Sequence, residues 1–446
     1  MSLTLLDGYR RAIEAGGSAI REDAADFAAM PELEWQARWF AGEFGNAWTS
    51  VDGTPVHLVD FGRWNREPGP DFVDARLRIG DREVRGAIEL DRDARDWEHH
   101  GHATNPAFRD VVLHVFIEQP ARRFFTRTIE HREVTQVQLC AKRPHTRRSR
   151  AEYPTRFHVS ETSVLLAAAR HRLDLKARAL QRYAGVHGEG EAWFAALAMA
   201  LGYKQNQTPF LLLAQRVGLR AAGGPEGEAL LFGTAGFLES PAPPEADRAV
   251  RAYLRDLWEN WWTHRASCER WILPRKAWHS GGARPANHPH RRVATLARIA
   301  AGWSPIRKAL TQSRRDALVA ALESIAHPFW TMRFNLRGDE LAKTQSLLGA
   351  ERIRDIIINI HHPLAIARDD GAWPAFLREK GPAPAAIIRN AAARFFGASE
   401  ISLSSAAIQQ GLLQLERDFR AAPEPADFLG ALRKLATDST GGDGAC

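Results

Sequence analysis

Three acidic residues in the first third of the chain are spaced so that they could share a divalent cation. A Gly-Pro pair turns the chain and delivers Asp71 to the start of a predicted strand, and Glu89 and Asp91 follow near the end of the next predicted strand. Residues i and i+2 of a strand project from one face, so Glu89 and Asp91 point together. If the two strands pair as a hairpin, Asp71 lies beside Glu89. Three carboxylates suit Mg²⁺ or Mn²⁺, which can activate water and screen phosphate charge.

The register of the first strand leaves a second candidate open. Strict alternation places Asp71 on the apolar face with Val73 and Ala75, and Asp74 on the polar face. A bend after the Gly-Pro pair restores Asp71 to the site, whereas without that bend Asp74 is the better partner for Glu89. The alternative to any metal site is that these carboxylates form edge-strand salt bridges to arginines, namely Arg76, Arg78 or Arg85.

A histidine cluster follows the carboxylates. His99, His100 and His102 fall within four positions, Asn105 comes just after them, and His114 lies in the next apolar run. Imidazoles at this spacing could contact a metal or position water or phosphate. The cluster could equally be a solvated loop, and His114 is as readily a core histidine as a functional one.

The elements that must position these residues form a helix–strand series. We predict a helix over Pro31–Phe44, strands within 51–64, over Asp71–Ile79 and over Glu83–Asp91, a polar helical or irregular segment over 96–107, and a buried strand over Val111–Glu118. The pattern then becomes helical, with apolar periodicity at 164–183, 191–202, 209–217, 246–262, 293–301, 305–325 and 350–360. The predicted fold class is α+β: a small mixed sheet followed by a mostly α-helical region.

Composition divides the chain into parts of opposite charge. Residues 1–150 hold 22 Lys/Arg and 24 Asp/Glu, a net of −2, and the remainder holds 38 and 29, a net of +9. We predict an α/β domain at 1–141, a basic linker at 142–160, a helical domain of one or two subdomains at 161–436 and a disordered tail at 437–446. A basic part beside an acidic part favours a polyanionic partner, although many arginine-rich proteins bind no nucleic acid.

A cationic stretch in the helical part is the candidate for nucleic-acid contact. Between Arg265 and Arg315 there are twelve Lys/Arg and a single acid, interleaved with Trp271 and Trp278. Cations with aromatic platforms hold a phosphate backbone and stack bases. The alternative is that the tryptophans are core anchors and the arginines solvate helix faces. The candidate contacts are Arg275, Lys276, Arg284, Arg291, Arg292, Arg307 and Lys308.

The remaining composition favours a cytoplasmic protein that is independent of membranes. The three cysteines, Cys140, Cys268 and Cys446, are far apart and odd in number, which predicts neither a disulfide framework nor a zinc knuckle. The longest apolar stretch, residues 192–201, is too short to span a bilayer.

Two family resemblances bear on function. The order of elements, with Pro70-Asp71 as first motif and Glu89-Leu90-Asp91 as second, resembles the PD-(D/E)XK nuclease superfamily. That resemblance implies that Asp71 and Glu89 bind metal. The usual Lys of that superfamily is Asp91 here, so the cation that orients water is missing unless Arg92 or Arg95 supplies it; Asp91 would then be a third ligand or a base, or catalysis is lost.

The chain as a whole also resembles an uncharacterised bacterial family, the domain of unknown function 2851 family. The resemblance rests on Trp64-Asn65, Gly69–Phe72, Glu89-x-Asp91, 96–102, 113–115, Leu201–Asn206 with Pro209-Phe210, and 284–287. This second resemblance bears on architecture. From the acidic motif and its order of elements we expect an Mg²⁺- or Mn²⁺-dependent nuclease that favours DNA. The alternatives are an inactive nuclease-fold binding or scaffold protein, or a hydrolase whose transition metal is held by His100, His102 and carboxylates.

Overall fold

The fold combines one mixed sheet with a large helical region, which confirms the predicted α+β class. A computed structural model describes residues 3–15, 32–65, 67–118, 124–139, 162–239, 242, 245–280, 285–396, 401–422 and 424–440. The predicted linker at 142–160 lies outside the described residues. The first helix after it begins at Thr162. Of the predicted tail, residues 437–440 belong to the last helix, and residues 441–446 lie outside the described part.

The sheet is built from the first third of the chain. A first helix α1 (Leu3–Ala15) and a second α2 (Glu32–Phe40) come before the strands. The strands are β1 (Ala47–Thr49), β2 (Pro55–Asp60), β3 (Arg63–Trp64), β4 (Phe72–Ile79), β5 (Arg82–Asp93), β6 (Val111–Glu118) and β7 (Thr135–Gln138). Their order is β1-β2-β4-β5-β6-β7, with β3 also on β4. The β1 to β5 pairs are antiparallel, and β5-β6 and β6-β7 are parallel.

A bulge in β4 determines which acidic residues face the site. The β4-β5 register runs Phe72↔Ile88 and then Ala75↔Gly86, and Asp74 adopts a left-handed φ of 62°. The extra residue resets the alternation, so Phe72 and Ala75 are both fully buried in the core. Simple period-two reading of this strand therefore fails, because it assumes no bulge.

Apolar side chains cover both faces of the sheet. Ile88 and Leu90 of β5 lie in the main core with Phe72, and that core continues without a break into the helical region. On the opposite face, a smaller cluster gathers Trp97, Phe108 and Val111 with their neighbours. Glu89 and Asp91 alternate with Ile88 and Leu90, so they project toward the side of this smaller cluster.

A short helix, α3 (Asp96–His99), lies between β5 and β6 in the chain. The helical region begins with α4 (Thr162–His187). The helices after it are α5 (Glu189–Leu201), α6 (Gln207–Val217), α7 (Leu219–Ala222), α8 (Gly227–Thr234), α9 (Arg248–Cys268), α10 (Pro289–Ala301), α11 (Trp303–Thr311), α12 (Arg315–Glu323), α13 (Ala350–Ile356), α14 (His362–Arg368), α15 (Trp373–Leu377), α16 (Ala386–Phe396), α17 (Ala406–Ala421) and α18 (Pro425–Thr440). None of the helices in the described residues is long and apolar enough to cross a membrane.

Two predicted helices are divided or altered. The single helix expected at 305–325 is α11 and α12, separated where Ser313 takes a left-handed φ of 52°. The helix expected at 350–360 runs through α13 into a π-helical turn over Ile357–His361. A π-turn accommodates one extra residue within a helix. Nearly all residues of this turn are buried, so the sequence there has no clear helical periodicity that could reveal it.

The helical region is anchored to the loop that carries the candidate site. The Trp271 indole donates to the carbonyl of Asn65 at 3.2 Å, and Gln215 donates to the carbonyl of Ala37 at 2.9 Å. Arg216 donates to the carbonyl of Trp271 at 2.6 Å and lies over the Trp64 ring. The segment after α9 is thereby held beside the turn that delivers Asp71.

Candidate metal centre

The structure brings Asp71 and Glu89 together at one end of the β4-β5 hairpin. The backbone N–H of Asp71 donates to Glu89 Oε2 at 2.9 Å. The Asp71 carboxylate accepts from the Leu90 N–H at 3.1 Å and from the Gln36 amide at 3.0 Å. Both of its oxygens are therefore occupied by protein donors, which makes Asp71 an organiser of the site as much as a free ligand.

Asp74 is placed away from this centre. Its carboxylate lies 2.5 Å from Arg63 and 3.1 Å from Arg85, in an exposed ion-pair cluster. These two arginines, with their hydrogen bonds, hold the pKa of Asp74 below its usual value. The bulge thus decides the open question of register: Asp71, not Asp74, is the partner of Glu89.

The histidines are delivered by a short helical segment, α3 (Asp96–His99), and two 3₁₀ turns over His102–Thr104 and Pro106–Phe108. Gly101, between His100 and His102, has a left-handed φ of 73°, which favours glycine. Asn105 caps the second turn by accepting from the Ala107 N–H at 3.0 Å. The Asn105 side chain therefore stabilises the loop, and among the described residues it makes no contact with the carboxylates of Glu89 and Asp91.

Packing fixes the ring of His102. Phe108 stacks on it at a centroid distance of 3.9 Å, and Trp97 meets it edge-on at 5.4 Å. Trp97 is itself anchored through a hydrogen bond from its indole to the carbonyl of Arg127 at 3.0 Å. A side chain held this way meets the positional precision that a ligand or catalytic group needs.

Three side chains converge on one point, and a fourth, Glu89, contacts one of them. Ligand-capable atoms of Asp91, His100 and His102 all lie within 4.8 Å of one another. His102 Nε2 lies 3.2 Å from Glu89 Oε1, and His100 Nδ1 lies 3.2 Å from Asp91 Oδ1. We call Glu89, Asp91, His100 and His102 the four-residue centre. The predicted metal ligands were Asp71, Glu89 and Asp91. The structure instead groups His100 and His102 with Asp91, and Asp71 is not in that group.

His114 supports the centre from the neighbouring strand. It is fully buried, its Nε2 lies 3.2 Å from Asp91 Oδ2, and its Nδ1 is hydrogen-bonded to the Thr126 hydroxyl at 2.8 Å. Gln136 donates to the same hydroxyl oxygen at 2.7 Å. When the Thr126 hydroxyl accepts from Gln136, its own proton can be donated to His114 Nδ1. In that arrangement the neutral imidazole carries its proton on Nε2, on the side of Asp91.

Several buried polar atoms of the centre make no aligned hydrogen bond among the described residues, although some lie within ion-pair distance of a neighbour. They are Asp91 Oδ2 and His114 Nε2, which lie 3.2 Å apart, and both ring nitrogens of His102, of which Nε2 lies 3.2 Å from Glu89 Oε1. Buried polar atoms are normally hydrogen-bonded, and leaving one unpaired costs about 1–3 kcal/mol. A cation held between the carboxylates and imidazoles would compensate these atoms, so the residues present fit a bound metal.

Burial controls the charges of the centre. Burial and then the nearby Glu89 and Glu32 carboxylates raise the pKa of Asp71 well above its usual value. Burial and the Asp91 charge likewise raise the pKa of Glu89 well above its usual value. Burial lowers the pKa of His102, which favours the neutral imidazole that ligates metals. Crowded carboxylates of this kind repel one another until a cation or a proton neutralises them.

Sequence reasoning missed two residues of α2. Glu32 accepts from the Gln36 amide at 3.1 Å, and the same amide group donates to Asp71. Burial, followed by the charge of Asp91, raises the pKa of Glu32. Acidic residues in the first turn of a helix are common for helix stability alone, so nothing in the sequence distinguished Glu32.

The missing cation is not supplied by the arginines next to the motif. Arg92 lies 3.5 Å from Glu118, and Arg95 lies 2.6 Å from Asp93, so both pair with other acids. Arg270, directly after α9, is exposed and acts on Glu89 electrostatically. Its neighbour Trp271 is the residue docked on Asn65. A positive charge from the helical region therefore acts weakly on Glu89, which no local pattern near residue 91 could indicate.

The predicted nucleic-acid residues separate into buried and exposed groups. Arg291 is 1% exposed and donates to the carbonyls of Trp330 and Ser346, and Arg292 donates to the carbonyl of Leu347. These two guanidinium groups hold internal loops and face no solvent. Trp271 is also buried, and Trp278 is half-buried with its indole bonded to Ala235. Arg284 lies outside the described residues; the exposed members are Arg275, Lys276, Arg307 and Lys308.

Comparison with known proteins identifies the family. The family model described as "Protein of unknown function (DUF2851)" matches residues 33–372. The chain belongs to this family. The match covers the whole sheet, the four-residue centre and the helices through α14. No curated protein and no solved structure matches this DUF2851 chain.

Proposed function

We propose that this DUF2851 protein is a divalent-metal-dependent nuclease whose metal is held by the four-residue centre. The observation that carries the proposal is the convergence of Glu89, Asp91, His100 and His102, with buried atoms that lack hydrogen-bond partners. Perturbed, convergent titratable groups at a sheet edge are the usual mark of a reactive site. The chemical class follows from what surrounds the centre.

The arrangement of elements supports phosphodiester chemistry. The PD-(D/E)XK resemblance implies a helix, three strands, a helix and a strand. The chain has a helix, five antiparallel strands, a short helical segment and a parallel strand, so the order agrees and the number of strands is larger. Asp71 and Glu89 occupy the two acidic motif positions and contact each other. This support is by analogy of fold, and the residues themselves must carry the chemistry.

The donor set favours a transition ion. Two imidazoles and two carboxylates provide nitrogen and oxygen donors, whereas Mg²⁺ prefers an all-oxygen shell with several waters. Mn²⁺ accepts both donor types, so we place it ahead of Mg²⁺, with Zn²⁺ and Fe²⁺ as the other ions to test. When bound, such an ion lowers the pKa of coordinated water and screens the charge of a phosphate.

The protein's own residues would prepare the reaction in three ways. Phe108 and Trp97 exclude water from His102 and hold its ring. His114 and the hydrogen bond from Thr126 orient Asp91. The exposed guanidinium of Arg270, whose charge acts on Glu89, would neutralise a phosphate oxygen in place of the Lys that Asp91 replaces.

One observation favours a second candidate, a nucleic-acid-binding protein without catalysis. Asp71 has both carboxylate oxygens engaged by Leu90 and Gln36, and Asp91 stands where the superfamily has its Lys. A site that has lost turnover would keep the fold and the cationic surface. Metal-dependent cleavage separates this candidate from the first.

The deciding experiment is a cleavage assay on single-stranded, duplex and branched DNA and RNA, with Mn²⁺ and with Mg²⁺. Wild type is compared with Glu89→Gln and with Glu83→Gln, a matched control at an exposed position of the same strand. We expect Mn²⁺-dependent cleavage that chelation stops, Glu89→Gln abolishes and Glu83→Gln retains. Equal activity in wild type and Glu89→Gln would refute the nuclease, and binding without turnover would support the second candidate.

A further inference from the structure

Helix α9 carries two exposed tryptophans that pack on each other. Trp258 is 43% exposed and Trp262 is 56% exposed. Their rings stack at a centroid distance of 4.8 Å with an interplanar angle of 23°. Large exposed aromatic groups are uncommon on a surface unless a partner or ligand covers them. The sequence analysis indicated two other tryptophans, Trp271 and Trp278, as stacking platforms. Both of those are packed within the protein, and their indoles donate to backbone carbonyls.

The surroundings of the pair are polar and carry both charges, with exposed Asp256 and Glu259 beside a row of arginines. Helical spacing aligns Arg251, Arg255 and Arg265 with the two tryptophans along one stripe of α9. The guanidinium of Arg265 lies 6.0 Å from the Trp262 ring centroid, a cation–π contact, and is also paired with Glu239. Arg255 is exposed. Two indoles in a charged setting lack the broad apolar core of a protein–protein interface.

The position of the pair connects it with the four-residue centre. Trp262 lies six residues before the end of α9 at Cys268, about 9 Å along the helix axis. The chain then passes through Arg270 to Trp271, whose indole donates to the carbonyl of Asn65 at 3.2 Å, beside the turn that delivers Asp71. The tryptophans are therefore carried by the same continuous segment that docks beside the metal centre.

We infer that Trp258 and Trp262 form a stacking platform for the bases of a single-stranded nucleic acid, which the flanking arginines hold by its phosphates. Every base has a π-face, so stacking on aromatic side chains tolerates any sequence but requires unpaired bases. A duplex keeps its bases inside the helix and cannot use such a platform. The inference deepens the proposed function, on which it rests for its connection with the metal centre, by naming the form of the substrate.

The test measures binding separately from cleavage. Labelled 20-nucleotide single strands of DNA and RNA, and the matching duplexes, are titrated by fluorescence anisotropy with the full chain in EDTA. The variants are Trp258→Ala with Trp262→Ala, the aromatic-retaining pair Trp258→Phe with Trp262→Phe, and Phe125→Ala, an exposed aromatic control of the sheet region. Circular dichroism and light scattering check folding and oligomeric state.

We expect single strands to bind more tightly than duplexes, and the double alanine variant to lose roughly 10- to 100-fold in single-strand affinity, consistent with about 1–3 kcal/mol per stacked base. The double phenylalanine variant should recover most of that loss, and Phe125→Ala should bind as wild type does. Unchanged single-strand affinity in the folded alanine variant would overturn the inference, and so would dissociation of an oligomer, since the pair would then cover a second copy.

The outcome also separates this inference from the proposed function. If the protein cleaves nucleic acid in a Glu89-dependent manner but the alanine variant binds single strands normally, only the platform is wrong. If the tryptophans are needed for binding and no Mn²⁺-dependent cleavage occurs, the platform stands and the nuclease proposal fails.

Discussion

His114 Nε2 lies 3.2 Å from Asp91 Oδ2, on the strand adjacent to the one that carries Asp91. The other ring nitrogen of His114 is bonded to Thr126, so the ring cannot turn away without losing that hydrogen bond. A histidine on the far side of a ligand carboxylate orients the carboxylate for its cation. In characterised metal sites, losing such a supporting partner costs about 10- to 100-fold in metal affinity.

The first prediction follows from this contact. His114→Phe should keep the buried volume but weaken Mn²⁺ binding by about 10- to 100-fold, because Asp91 loses its orienting partner. Thr126→Val should act in the same direction and more weakly, since it keeps the imidazole of His114 and removes the hydroxyl that bonds to its Nδ1 and accepts from Gln136. Isothermal titration with Mn²⁺ measures both. Metal affinity unchanged in the folded His114→Phe variant would show that His114 is a core histidine only.

The second prediction concerns His102. Neither ring nitrogen makes an aligned hydrogen bond among the described residues. In metal-free protein, prepared with a chelator, His102→Phe should therefore keep the free energy of unfolding within about 1 kcal/mol of wild type or slightly raise it. The same change should abolish stabilisation by added Mn²⁺ or Zn²⁺. Thermal unfolding with and without metal tests this, with exposed His99→Ala as control. Equal metal-induced shifts in wild type and His102→Phe would exclude His102 as a ligand.

The third prediction separates the two aspartates of β4. Asp74→Asn should leave metal binding and cleavage intact and change stability little, because its ion pairs are exposed and asparagine tolerates a left-handed φ. Asp71→Asn should impair both, because Asp71 connects Gln36, Leu90 and Glu89. The opposite ranking in metal titration would mean that the strand takes the unbulged register.

The fourth prediction concerns the arginines. Arg291→Met should destabilise the fold by more than about 3 kcal/mol, because it strands the carbonyls that Arg291 holds in the segments around Trp330 and Ser346. Arg307→Ala, on the exposed face of α11, should change stability by less than about 0.5 kcal/mol. If α11 contacts a phosphate backbone, Arg307→Ala should also reduce the salt dependence of nucleic-acid binding. Urea unfolding and salt-dependent anisotropy are the measurements.

The fifth prediction concerns acid stability. Burial lowers the pKa of His171 and of His361 to about 4, and that of His290 to about 3. Well above pH 6.5 all three imidazoles are neutral in the folded and in the unfolded protein. As the pH falls below 6.5, these histidines become protonated in the unfolded chain while they stay neutral in the folded one. The free energy of unfolding therefore falls between pH 6.5 and about 4, by up to roughly 3 kcal/mol per group.

A single variant checks the source of that acid sensitivity. His361 has no hydrogen-bond partner at either ring nitrogen among the described residues, so His361→Phe should be tolerated and should flatten part of the pH dependence. The exposed His99→Ala serves as the control and should leave the dependence unchanged. Parallel stability curves for wild type and His361→Phe would contradict the account.

Much of the sheet was predictable because its signals are local. The strand predicted at Val111–Glu118 has the observed bounds, and Glu89 and Asp91 share a face as the period of a strand requires. The bulge at Asp74 was not predictable, since a left-handed aspartate carries no signature in a single sequence. The short strands β1 and β7 were missed because they hold only three and four residues.

The site was predicted in part for the same reason. Asp91, His100 and His102 lie close in sequence, so their convergence could be anticipated: the leading expectation gave the histidines a supporting role, and the transition-metal alternative placed them on the metal with carboxylates. Glu32 and Thr126 act on the centre from other elements through tertiary packing, which spacing along the chain does not record. Burial of Arg291 and Arg292 was hidden as well, because buried and surface arginines look alike in a sequence.

Metal stoichiometry of the purified protein tests the central claim most directly. Calorimetric titration of the chelated chain with Mn²⁺ should give one ion per chain in wild type, and Asp91→Asn combined with His102→Phe should abolish that binding while the protein stays folded. Absence of binding for Mn²⁺, Zn²⁺ and Fe²⁺ alike, or the same stoichiometry and affinity in the double variant, would contradict the four-residue centre as a metal site.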